Sequence, residues 1–109
     1  MIRNIIMSCA LIVSSMATKA QTQIEILHTN DTHSCILPLS RNLADTVVAG
    51  RGGFVRRLEF VNRERSKDPE LLLLDSGDFS QGSPYYTLFH GDVEVGLMNL
   101  MGYDAVTIG

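Results

Sequence analysis

Between Pro69 and Gly77 the chain carries Leu71-Leu72-Leu73-Leu74, four leucines in succession, closed at once by Asp75-Ser76. An unbroken apolar run of this kind suits a strand buried on both faces, and sheets covered on both faces are built from parallel strands joined by helices. Periodicity alone does not separate such a run from a piece of buried helix. Length does: Pro69 disfavours helical geometry at Asp68, and Gly77 breaks regular structure on the other side, so only a strand fits between them. The run therefore predicts an α/β fold with a parallel sheet.

The flanking segments agree with that expectation. Ile24 to Thr29 reads as a first strand, with Ile24, Ile26 and Leu27 suggesting partial burial. A loop from Asn30 to about Gly52, broken by Pro38 and rich in Ser, Asn, Asp and Gly, is longer than a compact domain usually tolerates without a purpose. A helix is predicted from Gly52-Gly53 to about Ser66, with Phe54, Leu58 and Val61 on its inner face and Arg57, Glu64 and Arg65 outside. A second helix is predicted from Asp92 to Met101, burying Val93, Leu97, Leu100 and Met101 and stopping at Gly102. Gly96 weakens its middle by about 1 kcal/mol relative to Ala. Ala105 to Ile108 opens a third strand. Strands alternating with helices, without internal repeat or low-complexity tract, again predict parallel pairing.

Polar residues follow directly on the strands. Thr29-Asn30-Asp31-Thr32-His33 follows the first, and Asp75-Ser76-Gly77-Asp78-Phe79-Ser80-Gln81-Gly82 follows the second. Ligands of α/β sheets bind beyond the carboxyl ends of the strands, so parallel pairing would bring Asp31, His33 and Asp78 to one edge. Carboxylates together with an imidazole suit hard or borderline divalent cations. A carboxylate held between two such ions can bridge them, and Asp78, on a turn preceded by Gly77, is the candidate for that position. Asp75 reads as a turn residue that accepts backbone amides, and His28 as a packed or surface residue of the first strand. His90 reads as a solvated helix-end residue, and Gln81-Gly82 as the rim of the site. Cys35 is read as a loop filler, since a thiolate is a soft ligand and these carboxylates are hard ones. Arg56, Arg57, Arg63 and Arg65 form a solvated helix face interleaved with Glu59 and Glu64.

Residues 1 to 20 have the form of an export leader: Arg3, then an apolar stretch from Ile5 to Ala17 too short to span a bilayer, then Thr18-Lys19-Ala20 before a cut expected ahead of Gln21. A lipoprotein box at Ile6-Met7-Ser8-Cys9 is disfavoured, because most of the apolar run follows Cys9 when it should precede it. Beyond Ala20 the chain carries seven basic residues against all 12 acidic ones, which argues against nonspecific nucleic-acid binding. It also holds one cysteine, Cys35, so no intramolecular disulfide is expected after cleavage. A second apolar segment of transmembrane length is lacking from the sequence, and no stable membrane anchor is expected.

Several segments taken in order carry a resemblance: Thr29-Asn30-Asp31-Thr32-His33, the Gly52-Gly53 helix start, Leu74-Asp75-Ser76-Gly77-Asp78 with Gln81-Gly82-Ser83-Pro84, and Met98 through Gly109. Together they resemble the N-terminal part of the secreted 5'-nucleotidase family of calcineurin-like metallophosphoesterases. The resemblance covers residues 21 to 109 and implies the first part of the layered α/β/β/α metallophosphoesterase fold, incomplete in this chain. It implies two divalent metal ions, Zn, Mn or similar, with Asp31 and His33 on the first and Asp78 bridging both. In the family an Asn-His motif follows the position of Gly109, so no catalytic residue beyond these ligands is expected within the chain. The implied activity of the intact form is release of phosphate from nucleoside monophosphates by a metal-activated water, in the periplasm or outside the cell. The partner is then a nucleotide or other small phosphoester. The alternatives within the same chemistry are hydrolysis of 2',3'-cyclic nucleotides or nucleotide sugars. Outside it stand a catalytically inactive truncated remnant and a module binding a single metal through Asp31, His33 and Asp78.

Overall fold

The computed structural model describes residues 22–109; the predicted leader, its cleavage site and the box around Cys9 lie outside the described residues. The elements follow in the order β1 (Ile26–Thr29), α1 (Phe54–Arg65), β2 (Leu72–Asp75), α2 (Pro84–Phe89), α3 (Asp92–Met101) and β3 (Ala105–Val106). All three strands are parallel, with β2 in the centre. Ile26 stands opposite Leu72 and Thr29 opposite Asp75, while Leu74 and Asp75 pair with Ala105 and Val106. The expected α/β architecture with a parallel sheet is what the chain adopts.

Register decides which side chains form the core. Leu27 and Leu73 are partners and share a face, and that face receives Phe54 and Val61 of α1 and Met101 of α3. Leu71 joins the same cluster, with Ile36, Leu58, Leu97 and Tyr103 packed around it. Both long helices therefore lie on one side of the sheet. The expectation of burial on both faces is corrected accordingly: Leu71 and Leu73 are 3% and 1% exposed, but Leu72 is 37% exposed and its partner Ile26 51%. Alternation returns because, among the described residues, only one layer of helices covers the sheet.

The helices depart from expectation in two places. In α3, Met101 is buried and Val93 and Leu97 half-buried, but Leu100 is 73% exposed and Glu94 is buried instead. The inward stripe of α3 thus runs through Glu94, Leu97 and Met101, at the i, i+3, i+7 spacing of one helix face. The short helix α2 was not anticipated. Its start nonetheless follows a simple rule: Ser83 caps it by accepting from the amides of Tyr85 and Tyr86, and Pro84 occupies its first turn, where a missing N–H costs nothing. Gly102 does end α3, in the left-handed conformation, at φ 69 and ψ 51.

Candidate metal centre

The pairing of β1 with β2 continues past the strand ends and brings two polar loops together. Ser76 N donates to Thr29 O at 2.9 Å, Asp31 N to Gly77 O at 3.0 Å, His33 N to Asp78 O at 3.0 Å and Ser34 N to Phe79 O at 2.8 Å. These bonds hold a backbone that a free chain avoids. Asp31, His33, Ser34, Asp78 and Gln81 all have positive φ, at 50, 43, 53, 52 and 74 degrees. Asp and His tolerate this region better than most residues, yet each such position costs about 1 kcal/mol or more and persists only where the surroundings over-determine it. Here the inter-loop bonds supply that determination, so the strain is concentrated at the carboxyl edge of the sheet.

The side chains that result converge. One ligand atom from each of Asp31, His33 and Asp78 lies within 4.8 Å of the other two. His33 Nε2 stands 3.4 Å from Asp31 Oδ1, and both side chains are half exposed. Asn30 Nδ2 donates to Asp31 Oδ2, which leaves Oδ1 as the oxygen turned toward the imidazole. Two carboxylates and one imidazole, close together and open to solvent, fit a hard or borderline divalent cation.

Asp75 holds the edge from beneath. It is 4% exposed, accepts from Gly77 N at 2.8 Å and from Thr29 Oγ1 at 2.5 Å, and Thr29 Oγ1 in turn accepts from the Tyr103 hydroxyl at 2.8 Å. The structural role predicted for Asp75 is the one it plays, and Thr29 and Tyr103 extend it. Gly77 has φ 110, with Thr107 Oγ1 3.0 Å and Gly109 N 3.3 Å from where its Cβ would stand. Gly109 is closer still: a Cβ there would collide with the backbone amide and carboxylate of Asp78. The end of the β3 segment is therefore packed directly against the site.

The sequence model of the family described as "Calcineurin-like phosphoesterase" matches residues 24–104. This chain belongs to that family. The 5'-nucleotidase of Bos taurus is 39% identical over 89 residues, covering 80% of this chain and 16% of that protein. The trifunctional nucleotide phosphoesterase protein YfkN of Bacillus subtilis is 36% identical over 86 residues, covering 79% of this chain and 5% of that protein. Among solved structures, the 5'-nucleotidase precursor from Thermus thermophilus superposes with a TM-score of 0.66 at 30% identity, covering 79% of this chain and 17% of that one. This calcineurin-like phosphoesterase chain thus spans about one sixth of the length of the first curated relative, and its α/β layer corresponds to part of the larger fold.

Other polar residues of the phosphoesterase chain stand outside the Asp31, His33 and Asp78 group. Cys35 is half-buried with its Sγ 3.9 Å from Leu37 O, in keeping with a loop filler. His28 is exposed on the sheet face opposite the helices, and His90 is the exposed left-handed cap of α2. Gly82 lies beside His33, the backbone O of which is 3.5 Å from where a Gly82 Cβ would stand, so Gln81-Gly82 does form the rim. The arginine face is only partly solvated. Arg63 and Lys67 pair with Glu64 at 3.1 and 2.6 Å, and these bonds, Lys67 foremost, lower the Glu64 pKa below its ordinary value. Arg57 instead turns inward and donates to Cys35 O at 3.2 Å, because the loop after β1 folds over the start of α1. Arg65 reaches the carbonyls of Met101 and Gly102, where the C-terminal end of α3 favours a cation. Sequence reasoning assigned no role of their own to Ser34, Ser83 or Glu94. The Ser83-Pro84 pair carried a helix-start signal, whereas an acid in the first turn of α3 gives no sign that it points inward.

Proposed function

We propose that the protein containing this chain is a metal-dependent phosphoester hydrolase of the 5'-nucleotidase type that releases phosphate from nucleoside monophosphates. The observation that carries this reading is the convergence of Asp31, His33 and Asp78 at the carboxyl edge of the sheet. Asp31 and His33 are proposed as ligands of one divalent ion and Asp78 as the carboxylate shared with a second. A pair of such ions, when bound, activates a water and neutralises charge on the phosphoryl oxygens. Everything else in the proposal falls to the chain itself. Asn30 orients the Asp31 carboxylate by donating to Oδ2. The bonds from Asp31 N and His33 N to the Gly77 and Asp78 carbonyls fix the two loops relative to each other. Asp75 anchors the turn that presents Asp78 through the Gly77 amide.

Hydrolysis of cyclic nucleotides or nucleotide sugars uses the same edge. It is a second reading, supported only insofar as one relative is named as a nucleotide phosphoesterase with more than one activity. The proposed place of action is outside the cytoplasm. That part of the reading is supported by the leader-like residues 1 to 20 and by a relative named as a snake venom 5'-nucleotidase. No helix of the described residues is long and apolar enough to cross a membrane.

Phosphate release from AMP by the full-length protein, with added Mn²⁺ or Zn²⁺, tests the reading. Metal-dependent release that is lost in Asp31→Ala, His33→Ala and Asp78→Ala is expected. Undiminished release by Asp78→Ala would overturn it. The 109-residue chain alone is expected to show no turnover.

A further inference from the structure

Behind the metal centre a line of hydroxyls ends on a buried carboxylate. The amides of Tyr85 and Tyr86 donate to Ser83 Oγ at 3.1 and 3.3 Å, Ser83 Oγ bonds Ser34 Oγ, and Ser34 Oγ donates to Glu94 Oε1. A hydroxyl has one proton to give. Once Ser34 gives its proton to Glu94, the proton between the two serines has to come from Ser83. The line therefore has a single direction and a single terminal acceptor, Glu94.

The positions of these residues give the line its consequence. Ser34 is 4% exposed, follows His33 directly, shares its left-handed backbone and is tied through its amide to Phe79 O at 2.8 Å. Glu94 is 5% exposed and comes from α3, which contributes nothing to the Asp31, His33 and Asp78 group. An acid in the first turn of a helix is favourably placed while still in water, so turning it inward brings a desolvation cost that its bonds must offset. Its second oxygen, Oε2, is buried without a protein partner, as is Arg57 Nε. Both residues border one cavity of about 20 Å³, room for a single water. One side of Glu94 is thus committed to Ser34, while the other faces the pocket it shares with Arg57.

We propose that Glu94 is a positioning residue for the metal centre: by accepting from Ser34 it fixes the strained backbone that presents His33. The proposal rests on the reading of Asp31, His33 and Asp78 as metal ligands. Glu94 acts on the ligand through the backbone shared by Ser34 and His33 rather than through a bond to the imidazole, so its removal should cost no more than about tenfold in metal affinity, the lower end of the range for groups bonded directly to a ligand.

The test is a titration of the full-length protein with Co²⁺, followed by its visible absorption bands, with thermal unfolding measured in parallel. Glu94→Leu and Ser34→Ala are expected to weaken cobalt binding by up to about tenfold and to alter the bands. Glu94→Gln keeps an acceptor oxygen for Ser34 and is expected to restore both. Val61→Ala, in the core and away from the line of hydroxyls, is expected to lower the unfolding temperature without moving the cobalt affinity. If Glu94→Leu does not fold, Ser34→Ala alone decides the matter. Cobalt affinity and bands unchanged in the folded variants would overturn the proposal, and so would an equal loss of affinity in Val61→Ala. Cobalt bound by the unaltered protein no better than by Asp78→Ala would instead remove the metal-centre reading, and the proposal with it.

Discussion

Strand β2 belongs to two regions built on opposite terms. Its middle, at Leu73, is 1% exposed, lies among apolar side chains and has ordinary strand backbone. Three residues past its end, Asp78 is part of a solvent-facing cluster of carboxylates and an imidazole held in left-handed backbone. The first region gains from burial and the second costs conformational energy and charge repulsion. A fold keeps the second only because the first, together with the inter-loop bonds, stabilises it. Stability and chemistry are thereby assigned to different residues of one strand and its loop, and substitutions should separate them.

The largest separation is expected from Asp78→Ala. It removes the carboxylate proposed to bridge two ions, so phosphate release should fall to background and metal binding should weaken, while the unfolding midpoint without metal should move little, because relief of the repulsion with Asp31 is offset by the poorer fit of Ala to the left-handed backbone at φ 52. Denaturant unfolding in a chelator, run beside the phosphate assay, checks both halves. Leu73→Ala is the mirror image. Emptying a fully buried leucine position costs about 2–5 kcal/mol of stability, and whatever protein remains folded should retain metal-dependent activity per folded molecule. A lost activity at full folding would show that core and edge are not separable in this way.

How far the two regions were legible in the sequence follows the same division. The strands could be read because Leu71 to Leu74 are confined between Pro69 and Gly77, and α1 and α3 because their apolar residues recur at helical spacing. Residue pattern reveals which side chains are able to be buried, not whether a layer arrives to bury them, so Leu72 and Leu100 were placed inside and lie outside. The edge was legible as a set of residue types, Asp31, His33 and Asp78, on loops that parallel pairing must bring together. Its support was not. Glu94 meets Ser34 across 60 residues of sequence, and Thr29 meets Tyr103 across 74, contacts that local pattern cannot encode.

Residues at the boundary sharpen the comparison. Gly109→Ala places a Cβ against Asp78 without touching the core. It is expected to weaken metal binding by displacing the Asp78 carboxylate, with a smaller loss of stability than Leu73→Ala, measured by cobalt titration and thermal unfolding of the same preparation. Asp75→Ala lies on both sides of the divide. It leaves the Gly77 amide and the Thr29 hydroxyl without their acceptor, which costs about 1–3 kcal/mol, and it frees the turn that presents Asp78. Stability and metal affinity should therefore fall together in this variant, whereas each of the preceding variants moves mainly one of them.

The smallest effect is expected at Glu64, on the outer side of α1 and remote from both regions. Its carboxylate accepts from Lys67 and Arg63, which hold its pKa below the ordinary value of 4.5. A carboxyl whose pKa is depressed on folding adds stability above its unfolded pKa, and that contribution fades as pH falls through the folded pKa. Glu64→Gln should therefore be slightly less stable than the unaltered protein at neutral pH, and the difference should shrink below about pH 4.5. Because its partners Arg63 and Lys67 are exposed, added salt should shrink it as well. Unfolding curves at neutral and acid pH, at low and high salt, decide the point. A pH-independent difference would mean that Glu64 contributes through packing of its aliphatic stem on α1 rather than through charge.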